Sequence, residues 1–450
     1  MSSTEGTRLD RFLAHPHRAL WTMSAPMMVG FTVHALYAIV DTIYIGRLGA
    51  DALAAAGYIG GLFFTSIALT NGLSAGITAA VARACGARDR SLQSDIASNG
   101  LSLCLCIGFL FGALCLWSGP RIIPLLGAEG ESVRYAWDYM APLFAGMPLF
   151  FATTAIRSVL NGEGDSRTPM IILLISTVVN LVLDPVFMFA MGQGIAGAAH
   201  ATLVAQAVAL GALLYVAFVR RRMESSFRWS RMRFRRPLLS AIVGVGLPTT
   251  AGHLVMALGM VLTNRVIAFF GQEAVAGYVA GSRVDMFVSL PIMGIAAGAM
   301  TLVGMYGGAN RPDLVRATTL NAWRWAVLSA LGLGVLVYAF SDAVVGFFVQ
   351  EEGARAIGRQ YLGYAVFAYP LMAFGMTSGR ILQGLGHGMP SLVITSARVL
   401  FIGAAGAYGA VYLLDAPIAA VWISFVAGGA GAVVLSFLWV RRHLWRRSPA

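Results

Sequence analysis

The stretch SAPMMVG (24–30) is answered by GLPTTAG (246–252), so that Pro26 and Pro248 stand 222 residues apart. The same spacing pairs Gly49 with Gly271, Gly72 with Gly294, Gly76 with Gly298 and Gly86 with Gly308. Further along it joins Pro148 to Pro370, Leu160 to Leu382, Gly162 to Gly384 and Gly164 to Gly386. Glycines coincide often by chance in an apolar chain. A constant offset that keeps two prolines in register marks an internal duplication.

The duplicated material is a set of apolar helical spans. Of the 450 residues, 58% are hydrophobic and 12% charged, against about 25% charged in soluble domains. One soluble core could not cover that much apolar surface. Spans read near 19–46, 53–80, 92–118, 134–158, 168–190 and 195–219, and again near 239–268, 274–303, 318–340, 357–381, 390–412 and 416–440. Each is long enough to cross a hydrocarbon layer of about 30 Å. The predicted fold is an all-α integral membrane protein, with twelve transmembrane helices in two pseudo-symmetric six-helix lobes around a central cleft. Six is even, so both halves insert the same way and an axis along the membrane normal relates them. The expected organisation is a first lobe at 1–219, a basic cytoplasmic linker at 220–237 and a second lobe at 238–450.

The formal net charge is +12, and all 32 cations are Arg. One side of the predicted spans carries Arg8, Arg11, Arg18, Arg83, Arg88, Arg90, Arg167, the linker RRRMESSFRWSRMRFRRP (220–237), Arg311, Arg316 and the C-terminal arginines. The other side has only Arg47, Arg121, Arg134, Arg355 and Arg359. The positive-inside rule then places both termini in the cytoplasm of a cell whose inner (plasma) membrane the chain crosses. Arginines in short loops explain the basic balance without nucleic acid, and the linker can also touch anionic lipid. Cys85, Cys104, Cys106 and Cys115 form neither a metal spacing nor a disulfide framework. His34, His200 and His253 lack partners at metal-ligand spacing.

A carboxylate inside a span is costly and marks a functional site by default. Asp41 lies late in span 1 and Asp184 in span 5. Tyr37 is four residues before Asp41, and Asn180 four before Asp184, so each pair shares a helix face. Thr202 sits in span 6. Carboxylate, amide and hydroxyl oxygens gathered in a dry bundle can share a proton. They also suit a small hard cation, so a sodium site at Asp41, Asn180, Asp184 and Thr202 fits the same residues. The competing reading is an ion pair with Arg265, Arg283 or Arg398. The offset maps Asp41 to Thr263 and Asp184 to Gly406, so folding of a half does not require these charges. Pro26 can kink span 1, and Pro185 frees the Leu181 carbonyl beside Asp184. Arg283 and Asp285 are two apart and cannot face each other on a helix, so each is expected to pair elsewhere as a structural charge.

Several segments resemble the multidrug and toxic compound extrusion (MATE) transporters. They are VDTIYIGRLGADALAAAGY (40–58), RSVLNGEGDSRTPM (157–170), NLVLDPVFMFAMGQGIAGAAHATLVAQ (180–206) and GYVAGSRVDMFVSLPIMGIAAGAMTLVGMYGGANRP (277–312). The resemblance implies antiport of organic, often cationic or amphipathic compounds against protons or sodium, with H+ or Na+ as coupling ion and no other cofactor. Similarity to the DinF-like branch carries the coupling site onto Asp41, Asn180, Asp184 and Thr202, with Tyr37 beside them. Partners expected are small-molecule substrates and membrane lipids, with the chain a monomer. The alternative reading is a flippase for a lipid-linked or amphipathic metabolite. No nucleophile–base set or phosphate loop stands between the spans, so no enzyme is expected.

Overall fold

The computed structural model describes residues 7–220, 223–227 and 234–444, and no strand occurs among them. The first half runs through α1 (Arg8–Ala14), α2 (Pro16–Gly46), α3 (Ala50–Gly86) and α4 (Arg90–Leu125). The pair α5 (Glu131–Ala145) and α6 (Met147–Gly162) follows, then α7 (Arg167–Pro185) and α8 (Gly194–Leu214). The second half holds α9 (Arg236–Ala268), α10 (Gln272–Gly308), α11 (Pro312–Ala339), α12 (Ser341–Phe348), α13 (Glu352–Gly384), α14 (Met389–Ser396), α15 (Ala405–Leu414) and α16 (Ala419–Leu444).

Ten spans are long and apolar enough to cross a membrane by themselves, three of them counted through their wide-turn continuations. The pair α5–α6 makes an eleventh, bent by 46°. The twelfth is α13, 33 residues long but carrying Arg355, Arg359 and Arg380. The bend has a local cause. Gly146 precedes Met147 and Pro148 at the α5–α6 break, whereas α13 runs unbroken through Pro370 with Ala368 in the place of Gly146.

The duplication extends to backbone torsions. Gly49 and Gly271 precede α3 and α10 with φ of +117° and +96°, a conformation that a residue with a β-carbon rarely adopts. Arg88 and Asn310, also 222 apart, both take a left-handed φ, 57° and 53°. The turn is therefore repeated even where the residue is not.

Packing divides the chain into two compact units, Val29–Gly246 and the combination of Met1–Met28 with Leu247–Ala450. The packed units are thus a different partition from the sequence halves 1–219 and 238–450: the breaks fall inside α2 and α9. Close helix crossings show why. Within the first unit, a β-carbon on Gly76 would run into the Ile242 carbonyl, and one on Gly246 would lie 3.0 Å from the Gly72 carbonyl. Within the second, β-carbons on Gly294 and Gly298 would run into Met28 and Ser24. Small residues let helices approach this closely in lipid. The Tyr306 hydroxyl also donates to the Phe12 carbonyl at 3.0 Å.

The linker arginines Arg221, Arg222, Arg228, Arg231 and Arg233 lie outside the described residues. The described part is docked on the first unit. Glu163, fully buried, accepts the backbone N–H groups of Ser225 at 2.7 Å and Glu224 at 3.0 Å. Arg235 pairs with Asp95 at 2.9 Å, and its backbone N–H donates to Asn99 Oδ1 at 3.1 Å.

Candidate functional site

Three helices of the first unit bring the candidate residues together. Tyr37 and Asp41 come from α2, Asn180 and Asp184 from α7, and Thr202 from α8. The four-residue spacings put each pair on one face, as their sequence suggested. Asn180 Nδ2 donates to Asp184 Oδ1 at 2.9 Å. Asp184 is wholly buried and Asn180 nearly so. The Thr202 hydroxyl donates to the Ala198 carbonyl at 2.9 Å, and Tyr37 lies against Thr202. Asp41 and Asp184 are within electrostatic reach of each other and of Tyr37.

Two atoms in this cluster are unsatisfied. Asp41 Oδ1 and Asp184 Oδ2 are buried without a hydrogen-bond partner. A buried acceptor left bare costs about 1–3 kcal/mol, more when charged. A proton on either oxygen, or a small cation between them, would remove that cost. Among the described residues neither acid forms an ion pair, so Arg265, Arg283 and Arg398 do not neutralise them. Directly after Asp184, α7 passes at Pro185 into a wide turn over 186–190, closed by the Met191 N–H donating to the Val186 carbonyl at 2.8 Å. The α2 helix stays unbroken through Pro26.

Sequence reasoning missed Tyr139 on α5, which faces Asp41, Tyr37 and Asp184. A signal existed: the 222-residue offset pairs Tyr139 with Tyr361.

Of the histidines His34, His200 and His253, His34 neighbours the cluster, its ring 6.5 Å from that of Tyr37, and the other two bond elsewhere. Nδ1 of His253 lies 2.9 Å from the Thr249 carbonyl, and Nδ1 of His200 lies 2.8 Å from Gln193 Oε1. No group of three or more His, Cys, Asp or Glu side chains among the described residues gathers as a metal site.

The second unit holds a different arrangement. A cavity of about 200 Å³ is bordered by Gly259, Thr263, Asp285, Arg398, Trp422 and Phe425, among others. Asp285 on α10 accepts a hydrogen bond from Tyr361 at 2.5 Å and from Tyr369 at 2.7 Å, both on α13. Arg283, two residues away, points elsewhere, its guanidinium 5.8 Å from the centre of the Phe348 ring.

The MatE family profile matches residues 26–186 and 248–409, one stretch in each half of the chain. The probable multidrug resistance protein NorM of Thermotoga maritima is 25% identical over 434 residues, covering 96% of this chain and 93% of that protein. A MOP superfamily transporter of known structure from Pyrococcus furiosus superimposes with a TM-score of 0.91 at 31% identity, over 99% of each chain. A MATE structure in the bent conformation superimposes with a TM-score of 0.92 at 30% identity, over 98% of each. With the profile matching most of both halves and the fold shared along almost the whole length, this chain belongs to the MatE family of membrane transporters.

Proposed function

We propose that the chain exports organic compounds, cationic or amphipathic, by alternating access in exchange for protons or sodium ions, with Asp41 and Asp184 as the coupling carboxylates. As a family member it is a multi-pass membrane transporter of small molecules and not an enzyme. The observation that carries the coupling scheme is the pair of buried acidic oxygens without hydrogen-bond partners, Asp41 Oδ1 and Asp184 Oδ2. An ion arriving there satisfies both atoms, and its departure leaves two bare charges in a dry bundle. Helix packing stable in one condition is unstable in the other, as differential binding between two states requires.

In this scheme Asn180, Thr202 and Tyr37 supply neutral oxygens and hydroxyls around the ion. Tyr139 joins them from α5. Pro26 lies two residues before the break between the packed units, and Tyr37 and Asp41 follow it on the same helix. A bend there would couple the state of Asp41 to how α2 packs. Pro185 plays the matching part on α7. In this reading both termini lie in the cytoplasm and the chain sits in the inner (plasma) membrane, an orientation that the arginine distribution supports.

Purified protein in liposomes, with proton and sodium gradients set independently, tests the scheme. Ethidium efflux driven by one imposed gradient is the expected result and identifies the ion. Efflux at equal rate with neither gradient would remove the antiport reading.

A further inference from the structure

We propose that the cavity of the second unit is a binding site for a planar aromatic carboxylate, gripped at its acid group by Arg398 and at its ring by Tyr278 and Phe425, with Trp422 packed behind them. The inference goes beyond the export reading, since it names an anionic amphipathic ligand beside the cationic ones, and it rests on that reading only for transport, not for binding.

The argument begins with the duplication. Gly259 and Thr263, which border the cavity, stand 222 residues after Tyr37 and Asp41. Tyr361, also on its border, stands 222 after Tyr139. The cavity therefore occupies the repeat position of the carboxylate cluster in the first unit. There the chemistry has changed. Asp184 is replaced by Gly406 and Asn180 by Ile402, so no second acid remains. Loss of the Tyr37 side chain at Gly259 removes a ring from the same helix face.

Two charged groups border the space, Asp285 and Arg398. They are not equally free. Each carboxylate oxygen of Asp285 already takes a tyrosine hydroxyl. The Arg398 side chain makes no hydrogen bond or ion pair among the described residues, and its nitrogens are not among the fully buried unpartnered atoms. They are therefore accessible, on a residue that borders the cavity. A guanidinium offers five N–H donors in a planar fork that matches a carboxylate. The free valence of the site is thus for an anion.

The walls are aromatic. Tyr278 stacks on Trp422 at 5.7 Å between ring centres, 19° from parallel, and Tyr361 meets Trp422 edge-on at 5.1 Å. Phe425 sits 5.9 Å from Trp422. These contacts leave Trp422 fully buried behind the wall, and the partly exposed Tyr278 and Phe425 supply the flat surface a guest would meet. The volume of about 200 Å³ falls below the roughly 300–1,000 Å³ of drug-sized sites. It fits one ring system with its acid group and not a large drug.

The test uses the full-length protein in lipid nanodiscs with no gradient. Binding of 2-naphthoate is followed by quenching of tryptophan emission, with 2-naphthylmethylammonium as a probe of the same body and opposite charge. Saturable quenching by the acid, at least tenfold tighter than by the amine, is expected. Arg398→Gln should weaken the acid about tenfold to a hundredfold, the cost of one hydrogen-bonded charge, and Trp422→Phe should remove most of the quenching signal. Arg398→Lys keeps a cation and guards against a folding failure of the glutamine variant, and it should retain part of the affinity. Tighter binding of the amine, or acid binding untouched in both Arg398 variants, overturns the proposal. Binding of the acid, with no gradient-driven movement of either the acid or ethidium in liposomes, would keep this site and sink the export scheme instead.

Discussion

The two units start from one repeat and put unlike chemistry at equivalent places. In the first, Tyr139 faces two acids from α2 and α7. In the second, its counterpart Tyr361 bonds a single acid from α10, and a second tyrosine completes the pair. The acid of the second unit has both oxygens satisfied, while the first unit leaves two oxygens bare. Satisfied polar networks hold a helix pair in one arrangement, whereas half-satisfied ones invite a ligand. The lesson is that a buried carboxylate becomes a coupling candidate through what its neighbours fail to offer, and burial alone does not make it one.

The largest expected effect breaks that comparison if it is wrong. Asp41→Asn or Asp184→Asn should reduce gradient-driven ethidium efflux to the level of empty liposomes, with the protein still inserted and folded. Asp285→Asn should leave coupling in place and lower the melting temperature in detergent. Equal efflux by the Asp41→Asn/Asp184→Asn double variant would end the first-unit scheme. A loss of coupling in Asp285→Asn at unchanged stability would transfer the role to the second unit.

The repeat tyrosines sharpen the same contrast. Tyr361→Phe leaves Asp285 Oδ2 without its donor, and hydrogen bonds to charged groups contribute about 1.5–3 kcal/mol. The variant should unfold at a lower temperature by that order while efflux persists. Tyr139→Phe, which removes no observed bond to an acid, should instead change efflux rate with little change in melting. If the two variants behave alike, the position serves the same purpose in both units.

Most of the architecture was legible in the sequence because each span announces itself by length and apolarity, and the 222-residue offset needed only glycines and prolines. Asp41 and Asp184 were legible because a charge in an apolar run is conspicuous. Tyr139 was not, since tyrosine is ordinary in membrane helices and its importance depends on which helix α5 meets. The partition of packing was hidden for a similar reason. Nothing local in the run around Ile242 says that its carbonyl lies against Gly76, which is far away in the chain. Glu163 also escaped notice: an acid in a loop looks solvated until the backbone that it caps is seen to be the linker.

The close crossings differ between units by one turn. Gly76 meets Ile242 and Gly72 meets Gly246, whereas Gly298 meets Ser24 and Gly294 meets Met28. Mapped by the offset, Gly246 corresponds to Ser24, so α9 sits four residues along α3 relative to α2 on α10. Four residues are about 6 Å of helix. Gly76→Ala would press a methyl on a backbone carbonyl that cannot rotate away, while Gly298→Ala meets first the Ser24 hydroxyl, which can. Overpacking costs about 1–3 kcal/mol, and thermal unfolding should place Gly76→Ala toward the upper end and Gly298→Ala toward the lower. The reverse order would mean that the α9 crossing yields more readily than that of α2.

The smallest effect concerns the neighbours Arg283 and Asp285, which a sequence reading treats alike. Two residues apart on α10, they point in different directions, one to a pair of tyrosines and the other to the Phe348 ring. An exposed cation–π contact contributes about 0.5–1 kcal/mol, and Arg283 is exposed. Arg283→Gln should therefore shift melting far less than Asp285→Asn does, and leave efflux unchanged. A shift as large as that of the aspartate variant would mean that Arg283 engages a second partner when the protein is in lipid, and that the two charges of α10 act as one structural unit after all.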